Sequence, residues 1–550
     1  MAMSSVDHTL YGGILYGIDG VRIEVQGRLL PSRVSSCWAK TIGIVGLAGQ
    51  VVRETVQRIE GALAKYGITP PKGAISINLA PPDVPKEGTS LDLPIAMMAL
   101  QAAGYIPDWP ESVEKEHVFV GELGLHGEIR PVRGMLPIAM AAGDARNLVV
   151  PIGNQKEAAL VRAIPGHEKC NVLTAATLEQ VIQFMRGKAA LPNVSAQLIR
   201  YESVVERGVD FAQIKGQAAA KRAMEIAAAG GHNVLMIGPP GEGKSLVAKA
   251  LPTILPRLTD AETVELTRIY SAKGLLVSDG TVVSRRPCRE IHHSASKQSL
   301  VGGGSGTPEP GEISLAHKGV LFLDELPEFS RPTIEALRQP IESGSITISR
   351  VNASLTFPSE FTLVAAMNPC PCGFFGLFHC VQCLELASDS KAGCNKCGGV
   401  RLEPRCTCDE KSVLRYQKRI SGPILDRIDL KVDVKPLSLE EKFSETVAES
   451  SSAVRARVEA TRARQAARYA STAISCNAFI PGGQIQQWCH FAPDAFETYK
   501  RVIQGGKYST RATDRLAKTS RTIADIEGTD QIHSRHVEEA ARFLQGSVLM

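Results

Sequence analysis

The stretch Gly238-Pro-Pro-Gly-Glu-Gly-Lys-Ser245 determines how the rest of this sequence is interpreted. An apolar run at residues 233–237 precedes it and predicts a buried strand, and residues 246–251 follow with the pattern of a helix. Strand, glycine loop and helix in this order are the context in which G-x-x-x-x-G-K-[ST] binds phosphate. The glycines let backbone N–H groups face an anion, and the helix N-terminus adds partial positive charge. The sequence therefore predicts a nucleotide site.

Each position of this loop has an expected role. Lys244 is expected to reach the β- and γ-phosphates of ATP, and Ser245 to offer its hydroxyl to Mg²⁺. The remaining loop residues are expected to surround the phosphates, and they are Gly238, Pro239, Pro240, Gly241, Glu242 and Gly243. The alternative is a glycine turn that binds nothing, and a second motif argues against it.

That second motif is Val320-Leu-Phe-Leu-Asp324-Glu325, an apolar strand that ends in two carboxylates. Asp324 is expected to hold Mg²⁺ through water, and Glu325 to polarise the attacking water molecule. Two carboxylates at a strand end are also compatible with an ordinary surface. Their distance along the chain from the phosphate loop favours the catalytic interpretation.

Length and composition indicate a multidomain globular protein, and the cysteine pattern described below indicates a reducing cytoplasm. At 550 residues the chain is expected to form about three domains. Its N-terminus lacks a secretion signal, and no apolar run approaches the length of a membrane helix, so no membrane association is expected. The net charge of +5 lies in residues 451–550, which hold 14 Lys and Arg against 9 Asp and Glu. This excess is compatible with nucleic acid, but an exposed helical face often has the same composition.

Eight of the 13 cysteines crowd into a segment at residues 370–408. They form two inner C-x₂-C pairs and two outer C-x-C pairs: Cys380/Cys383 and Cys394/Cys397 inside, Cys370/Cys372 and Cys406/Cys408 outside. The inner spacing predicts a tetrahedral structural Zn²⁺ site in a zinc-ribbon-like insert, and the outer pairs predict a second one. The alternative is a loop of reduced cysteines. Four thiolates leave no open coordination position, so a structural role is expected.

Three further polar residues follow the acidic pair. Asn368 ends another apolar strand, where it can position the attacking water or simply cap a turn. Arg427 lies in a Ser-Gly-Pro-Ile-Leu-Asp-Arg segment, and in a ring of subunits such an arginine can reach a neighbour's γ-phosphate. Arg511 begins a predicted helix near the C-terminus.

The region before the phosphate loop, residues 1–190, alternates strand and helix patterns and predicts a small α+β domain. It resembles the proteolytic domain of Lon-type proteases at two segments, 85–92 and 120–132. On that resemblance Ser90 takes the place of the nucleophile, but Leu136 takes the place of the catalytic lysine. A serine hydroxyl without a base is a poor nucleophile, so the domain is expected to be inactive as a peptidase. Ser90 is otherwise an ordinary turn serine.

Taken together, the ordered motifs resemble the magnesium-chelatase-like AAA+ ATPases, and within them the ComM/YifB competence-protein subfamily. The resemblance implies a multidomain α/β protein with a Lon-like domain at 1–190, a linker at 191–209, a parallel-sheet ATPase core at 210–435 and an all-α lid at 436–550. It also implies that Asn368 is sensor 1, Arg427 the arginine finger and Arg511 sensor 2.

The resemblance further implies the activity. It predicts an ATP-hydrolysing ring, expected to be a hexamer, that acts on single-stranded or branched DNA as a helicase or translocase. The expected process is branch migration during homologous recombination and natural transformation. Inserts near Lys297 and Arg350 are implied to project toward the ring pore, where they contact DNA phosphate or only close the subunit interface.

Three other functions remain open at this point. A chelatase-type motor for metal insertion into a porphyrin is disfavoured by the Lon-like domain and by the lack of an obvious metal-carrying module. An ATP-dependent protease is disfavoured by Leu136. A nucleotide-switched scaffold is disfavoured by Glu325 and Arg427, which favour turnover.

Overall fold

A seven-stranded mixed sheet organises the N-terminal region, in the order β3-β4-β2-β1-β5-β8-β9. A computed structural model describes residues 8–31, 37–46, 49–194, 208–276, 282–304, 306–350, 353–380, 386–387, 402–437, 441, 443, 448–506 and 508–544. The strands of this region are β1 (His8–Tyr16), β2 (Asp19–Leu30), β3 (Ile42–Val45), β4 (Ala74–Ala80), β5 (His117–Phe119), β6 (Glu122–Leu123), β7 (Ile129–Arg130), β8 (Asn147–Pro151) and β9 (Asn171–Ala175). β6 and β7 pair with each other in a separate ribbon.

Helices cover this sheet. They are α1 (Trp38–Thr41), α2 (Gln50–Lys65), α3 (Asp92–Ala102), α4 (Glu111–Lys115), α5 (Met135–Ala141), α6 (Gln155–Ala159) and α7 (Leu178–Met185). The apolar residues at 50–66 recur with helical spacing and form α2, and the apolar run at 93–103 forms α3. Every residue of α3 is buried, because its sequence is apolar on all sides.

The packed part of this region extends to Val194. The backbone N–H of Val194 donates to the carbonyl of Val172 at 2.9 Å, and the carbonyl of Pro192 accepts from Thr174 at the same distance. Leu191 and Val194 are buried. Residues 191–194, which the sequence assigns to a linker, therefore pack beside β9, and residues 195–207 lie outside the described part of the chain.

A five-stranded parallel sheet, in the order β11-β14-β17-β10-β21, forms the centre of the next region. The strands are β10 (Val234–Ile237), β11 (Cys288–Ile291), β12 (Gly302–Gly303), β13 (Glu309–Pro310), β14 (Val320–Leu323), β15 (Ser345–Arg350), β16 (Ala353–Pro358), β17 (Thr362–Met367), β18 (Phe378–Cys380), β19 (Leu386–Ala387), β20 (Leu402–Pro404) and β21 (Leu430–Asp433). β10, β14 and β17 are buried throughout, as expected for parallel strands covered on both faces.

The parallel direction of these strands places all their carboxyl ends at one edge of the sheet. Two hairpins stand outside it, since β12 pairs with β13 and β15 with β16. The helices of the region are α8 (Ala218–Gly230), α9 (Lys244–Ile254), α10 (Asp260–Ala272), α11 (Lys297–Val301), α12 (Glu312–Leu315), α13 (Arg331–Glu335), α14 (Arg338–Ser343), α15 (Glu410–Gln417) and α16 (Gly422–Leu425).

The C-terminal region is helical where it is described. Its helices are α17 (Ser451–Arg468), α18 (Ile485–Trp488), α19 (Pro493–Gly506), α20 (Thr510–Glu527) and α21 (Ser534–Leu544). They share one hydrophobic cluster with α8, α9 and one face of the parallel sheet. Among the described residues, every helix is either too short or too polar to cross a membrane.

A buried carboxyl joins the N-terminal region to the parallel-sheet region. Glu157 of α6 accepts from the hydroxyl of Ser271 in α10 at 2.5 Å, and the N–H of Gly134 donates to the carbonyl of Ser271 at 3.2 Å. Burial raises the pKa of Glu157, although these hydrogen bonds oppose the rise. A carboxyl paired in this way ties the two regions together, because its removal leaves buried donors unsatisfied.

Candidate active site

The phosphate loop runs from the end of β10 to the start of α9. Gly241 and Gly243 have φ angles of 83° and 84°, left-handed values that favour glycine. Gly238 is required for a different reason, since a Cβ there would lie 2.2 Å from the carbonyl oxygen of Val434. Because α9 begins at Lys244, its N-terminus faces the loop and favours an anion.

The Lys244 ammonium lies over this loop. It donates to the carbonyl oxygens of Gly238 and Pro239 at 2.7 and 2.8 Å, and to the side-chain oxygen of Asn368 at 3.0 Å. Asn368 follows β17, the neighbour of β10 in the sheet. The structure therefore brings the predicted lysine and the predicted sensor asparagine into direct contact.

Burial lowers the pKa of Lys244 to about 8, against the opposing charges of Asp324, Glu242 and Glu325. The charged lysine is thus held in a partly desolvated position. A bound triphosphate adds negative charge beside it and favours the protonated form.

The predicted magnesium ligands also meet. The Ser245 hydroxyl donates to Oδ2 of Asp324 at 2.7 Å. Hydroxyl and carboxylate oxygens are the donors that Mg²⁺ prefers, and magnesium keeps several of its own waters in such sites. These two side chains would hold a magnesium ion, which would supply positive charge to offset that of the nucleotide phosphates.

Glu325 begins just beyond β14 in a left-handed conformation, with φ 52°. Its N–H donates to Oδ1 of Asp324 at 2.9 Å, and its Oε2 lies 3.2 Å from Nδ1 of His293. A non-glycine residue in this region of φ is uncommon and typical of functional sites. The conformation separates the two carboxylates, so that one faces Ser245 and the other faces His293.

His293 is the residue that sequence reasoning missed. It follows β11, which pairs with β14, so the parallel register brings it beside Glu325. The available signal was the pair of histidines after an apolar strand, and the order of strands in the sheet was needed to use it. A histidine in contact with the predicted general base can orient that carboxylate.

Arg427 and Arg511 lie elsewhere, at the amino-terminal edge of the sheet. The carbonyl of Arg427 accepts from the side chain of Asn233, the residue that precedes β10, at 3.0 Å. The guanidinium groups of Arg427 and Arg511 both contact Oε1 of Glu342 at the end of α14. The phosphate loop leaves β10 at its other end, so the two arginines face away from their own subunit's loop.

The four outer cysteines assemble into one cluster. Their Sγ atoms all lie within 4.8 Å of one another. Sγ of Cys370 lies 3.3 Å from Cys372 and 3.7 Å from Cys406, and Cys372 lies 3.6 Å from Cys406. Tetrahedral zinc thiolates with bonds of about 2.3 Å place their sulfur atoms roughly 3.8 Å apart, so the cluster fits a zinc ion.

Within this cluster the backbone favours a thiolate at Cys372 alone, since burial raises the pKa of Cys370, Cys406 and Cys408. Although burial opposes charge, the N–H groups of Thr407 and Phe374 lower the pKa of Cys372 to about 6. The residue after Cys372 lies against the nucleotide loop, because a Cβ on Gly373 would lie 2.6 Å from Cδ of Pro240. A metal at this position would fix the chain that follows Asn368 against the phosphate loop.

The inner zinc site lies outside the described residues. Cys383, Cys394 and Cys397 belong to segments without described positions, and only the backbone of Cys380 is described, as the end of β18. The inner site therefore stays a prediction.

Ser90 and Leu136 both take buried positions in the N-terminal region. Ser90 lines a cavity of about 860 Å³ together with Arg133 and residues of the β12–β13 hairpin. Leu136 is fully buried, and its N–H donates to Glu157 at 3.1 Å. A buried leucine cannot accept a proton, so this position provides no base that could activate Ser90.

The arginines of the basic helix α17 have partners within the chain. Arg457 pairs with Glu225 and Glu449, and Arg468 pairs with the buried carboxylate of Asp525. The remaining contacts are to backbone carbonyls, from Arg462 to Ala228 and from Arg464 to Asp525. Arg455 also has an interaction partner. The contacts to Glu225 and Ala228 join the C-terminal region to α8, and the helix gives no argument for DNA binding.

This site is that of a P-loop nucleoside triphosphatase. It combines the phosphate loop with its lysine and serine, the acidic pair and the asparagine. Family models for the magnesium chelatase subunit ChlI match residues 210–392 and 390–442, those for subunit ChlI of Mg-chelatase match 33–154, and those for its C-terminal region match 448–543.

Curated relatives cover nearly the whole chain. Competence protein ComM of Haemophilus influenzae is 40% identical over 507 residues, which are 90% of each chain. YifB of Salmonella typhimurium is 40% identical over 506 residues, 91% of this chain and 90% of its own. The magnesium-chelatase 38 kDa subunit of Cereibacter sphaeroides is 29% identical over 177 residues, 29% of this chain and 52% of its own.

The chain therefore belongs to the magnesium-chelatase-like AAA+ ATPases, and among them to the ComM/YifB subfamily. This confirms the resemblance that the sequence motifs carry. Membership supports ATP and Mg²⁺ as cofactors, and the two oxygens of Ser245 and Asp324 fit the metal.

Proposed function

We propose that the protein is an ATP-driven ring motor that acts on DNA, with a hexamer as the expected ring. The observation that carries the ring is the position of Arg427 and Arg511 at the opposite edge of the sheet from their own phosphate loop. An arginine there can serve only a nucleotide that a neighbouring subunit presents, because the sheet lies between it and its own site. Heterologous contacts of this kind close into rings.

In this motor, Lys244 binds the phosphates of ATP. Ser245 and Asp324 together hold Mg²⁺. Glu325 takes the proton of the attacking water, while Asn368 orients that water from beside Lys244. The neighbour's arginines stabilise the charge that develops on the transferred phosphoryl group.

DNA is the proposed substrate on two grounds. A relative that is 40% identical over 90% of this chain is named a competence protein, and the resemblance to that subfamily implies action on DNA. In this chain, Lys297 and Arg350 are exposed, and Gln298, the residue after Lys297, approaches Gly303 of the glycine-rich hairpin as Arg350 does. Two cations on neighbouring inserts fit the phosphates of a DNA strand, and the proposed activity is helicase or translocase activity in branch migration.

The outer cysteine cluster is proposed to hold a structural zinc ion. The support is the tetrahedral spacing of four thiols and the lowered pKa of Cys372. Four thiolates close the coordination sphere, so the ion would hold the chain between Asn368 and α15 in place without contacting the reacting atoms.

The test is ATP hydrolysis by the full chain, alone and with single-stranded, duplex and four-way-junction DNA. We expect DNA to stimulate hydrolysis several-fold, and Lys244→Ala and Glu325→Gln to abolish it. Lys297→Ala with Arg350→Ala should keep the basal rate and lose the stimulation, because neither residue touches the nucleotide site. Hydrolysis that is indifferent to every DNA would contradict the proposed substrate.

A further inference from the structure

One carboxylate, that of Glu342, is shared by two arginines from different parts of the chain. Its Oε1 accepts from Nη2 of Arg427, and the same oxygen lies 3.2 Å from Nη2 of Arg511. Arg427 follows α16 in the core, whereas Arg511 begins α20 in the C-terminal region. Two guanidinium groups therefore converge on a single anionic oxygen.

An oxygen of a γ-phosphate could be bound in the same way, with two guanidinium groups donating to it. Guanidinium groups bind carboxylate and phosphate oxygens with the same donor geometry. The cluster lies at the amino-terminal edge of the sheet, beside Asn233, where the protein's own nucleotide cannot reach.

The exposure of the three side chains shows which group must move. Arg427 is 10% exposed, while Glu342 and Arg511 are 48% and 58% exposed. A second hydrogen bond fixes Arg427, from Nη1 to the carbonyl of Pro423 at 2.6 Å. A phosphate that approaches from a neighbouring subunit therefore meets Arg427 only after the Glu342 carboxylate has left it.

We propose that Glu342 is a built-in substitute for the γ-phosphate of the neighbouring subunit's ATP, which occupies Arg427 and Arg511 until that ATP displaces it. The inference rests on the proposed ring, and it adds a residue that sets how much ATP the ring needs. Glu342 is a positioning residue: it does not touch the reacting atoms, and it acts through the two arginines.

The physical consequence is a competition. ATP must break the ion pairs of Glu342 before it gains those of the arginines, so the pairs weaken the apparent affinity for ATP. A half-exposed ion pair in water is worth a factor of about three to five in an equilibrium constant. Once ATP has displaced the carboxylate, the same transition state forms, so the maximal rate is retained.

The experiment compares steady-state ATP hydrolysis by the full-length wild type, Glu342→Gln and the control Glu335→Gln. Glu335 forms an ion pair with Arg338. Among the described residues, no contact joins Glu335 to Arg427 or Arg511. We expect Glu342→Gln to lower KM for ATP about threefold to fivefold with kcat retained. Glu335→Gln should leave both constants unchanged.

Other outcomes separate this inference from the proposed function. A wild-type chain that hydrolyses ATP, combined with an unchanged or raised KM in Glu342→Gln, overturns the inference alone. A fall in kcat would mean that Glu342 aligns the arginines and would equally overturn it. A wild-type chain with no ATP hydrolysis would overturn the proposed function and the inference with it.

A second variant guards against a folding defect. Glu342→Asp keeps the charge but shortens the side chain, so it should fold like the wild type and lower KM by a smaller factor. If both variants melt like the wild type and neither lowers KM, Glu342 is only a surface partner of the arginines.

Discussion

At the scale of single residues, the pKa of Lys244 makes ATP binding depend on pH. Its ammonium is buried against two loop carbonyls and Asn368, and that burial lowers its pKa to about 8. The phosphates of ATP bind the charged form, so ATP raises the pKa of this group above its value in the free chain. Above pH 8, ATP binding must therefore take up a proton.

This predicts the pH dependence of ATP affinity. The dissociation constant for ATP should be nearly flat below pH 8, where Lys244 is already charged, and should rise up to about tenfold per pH unit above it. The measurement is fluorescence titration of a labelled ATP between pH 7 and 9.5. The control, Lys244→Arg, keeps its charge throughout and should give a flat profile. Equal slopes in both proteins would contradict the assignment.

At the scale of elements, the cysteine cluster links a strand end to a helix. Cys370 and Cys372 follow β17 and Asn368, and Cys406 and Cys408 precede α15. The side chain of Gln417, the last residue of α15, also donates to the carbonyl of Pro369 at 3.1 Å. A metal at this cluster would therefore hold Asn368 in place from two sides.

Removal of that metal should lower ATP hydrolysis by roughly tenfold or more, since small displacements of a catalytic group cost that much. Cys372→Ser should lose one zinc equivalent by elemental analysis and show the same fall in rate. Cys288→Ser changes an exposed cysteine outside the cluster and should change neither quantity. A Cys372→Ser protein with full activity would refute the coupling between metal and Asn368.

The elements also show what the sequence could predict. The phosphate loop, the acidic pair and Asn368 could be predicted because each follows a strand whose apolar run is visible in the sequence. The contact between His293 and Glu325 could not, because it depends on which strands are neighbours in the sheet. The arginines of α17 form a basic stripe in sequence, yet they bind carboxylates and carbonyls in other elements.

At the scale of the whole molecule, the proposed function divides the active site between the two edges of the sheet. Lys244, Glu325 and Asn368 stand at the carboxyl edge, whereas Arg427 and Arg511 stand at the amino edge. On that proposal, one chain contributes one half of a site at each edge, and a neighbouring subunit completes each site.

The most direct test mixes two inactive variants. Lys244→Ala and Arg427→Ala should each hydrolyse ATP at least about a hundredfold more slowly than the wild type, since each removes charge stabilisation at the phosphates. Mixed rings join the intact loop of an Arg427→Ala subunit to the intact arginine of a Lys244→Ala subunit. The control mixes Lys244→Ala with Glu325→Gln, which damage the same edge and cannot complement. We predict that the first mixture regains a substantial fraction of wild-type hydrolysis and the control none, whereas a first mixture as inactive as its components would contradict a shared active site.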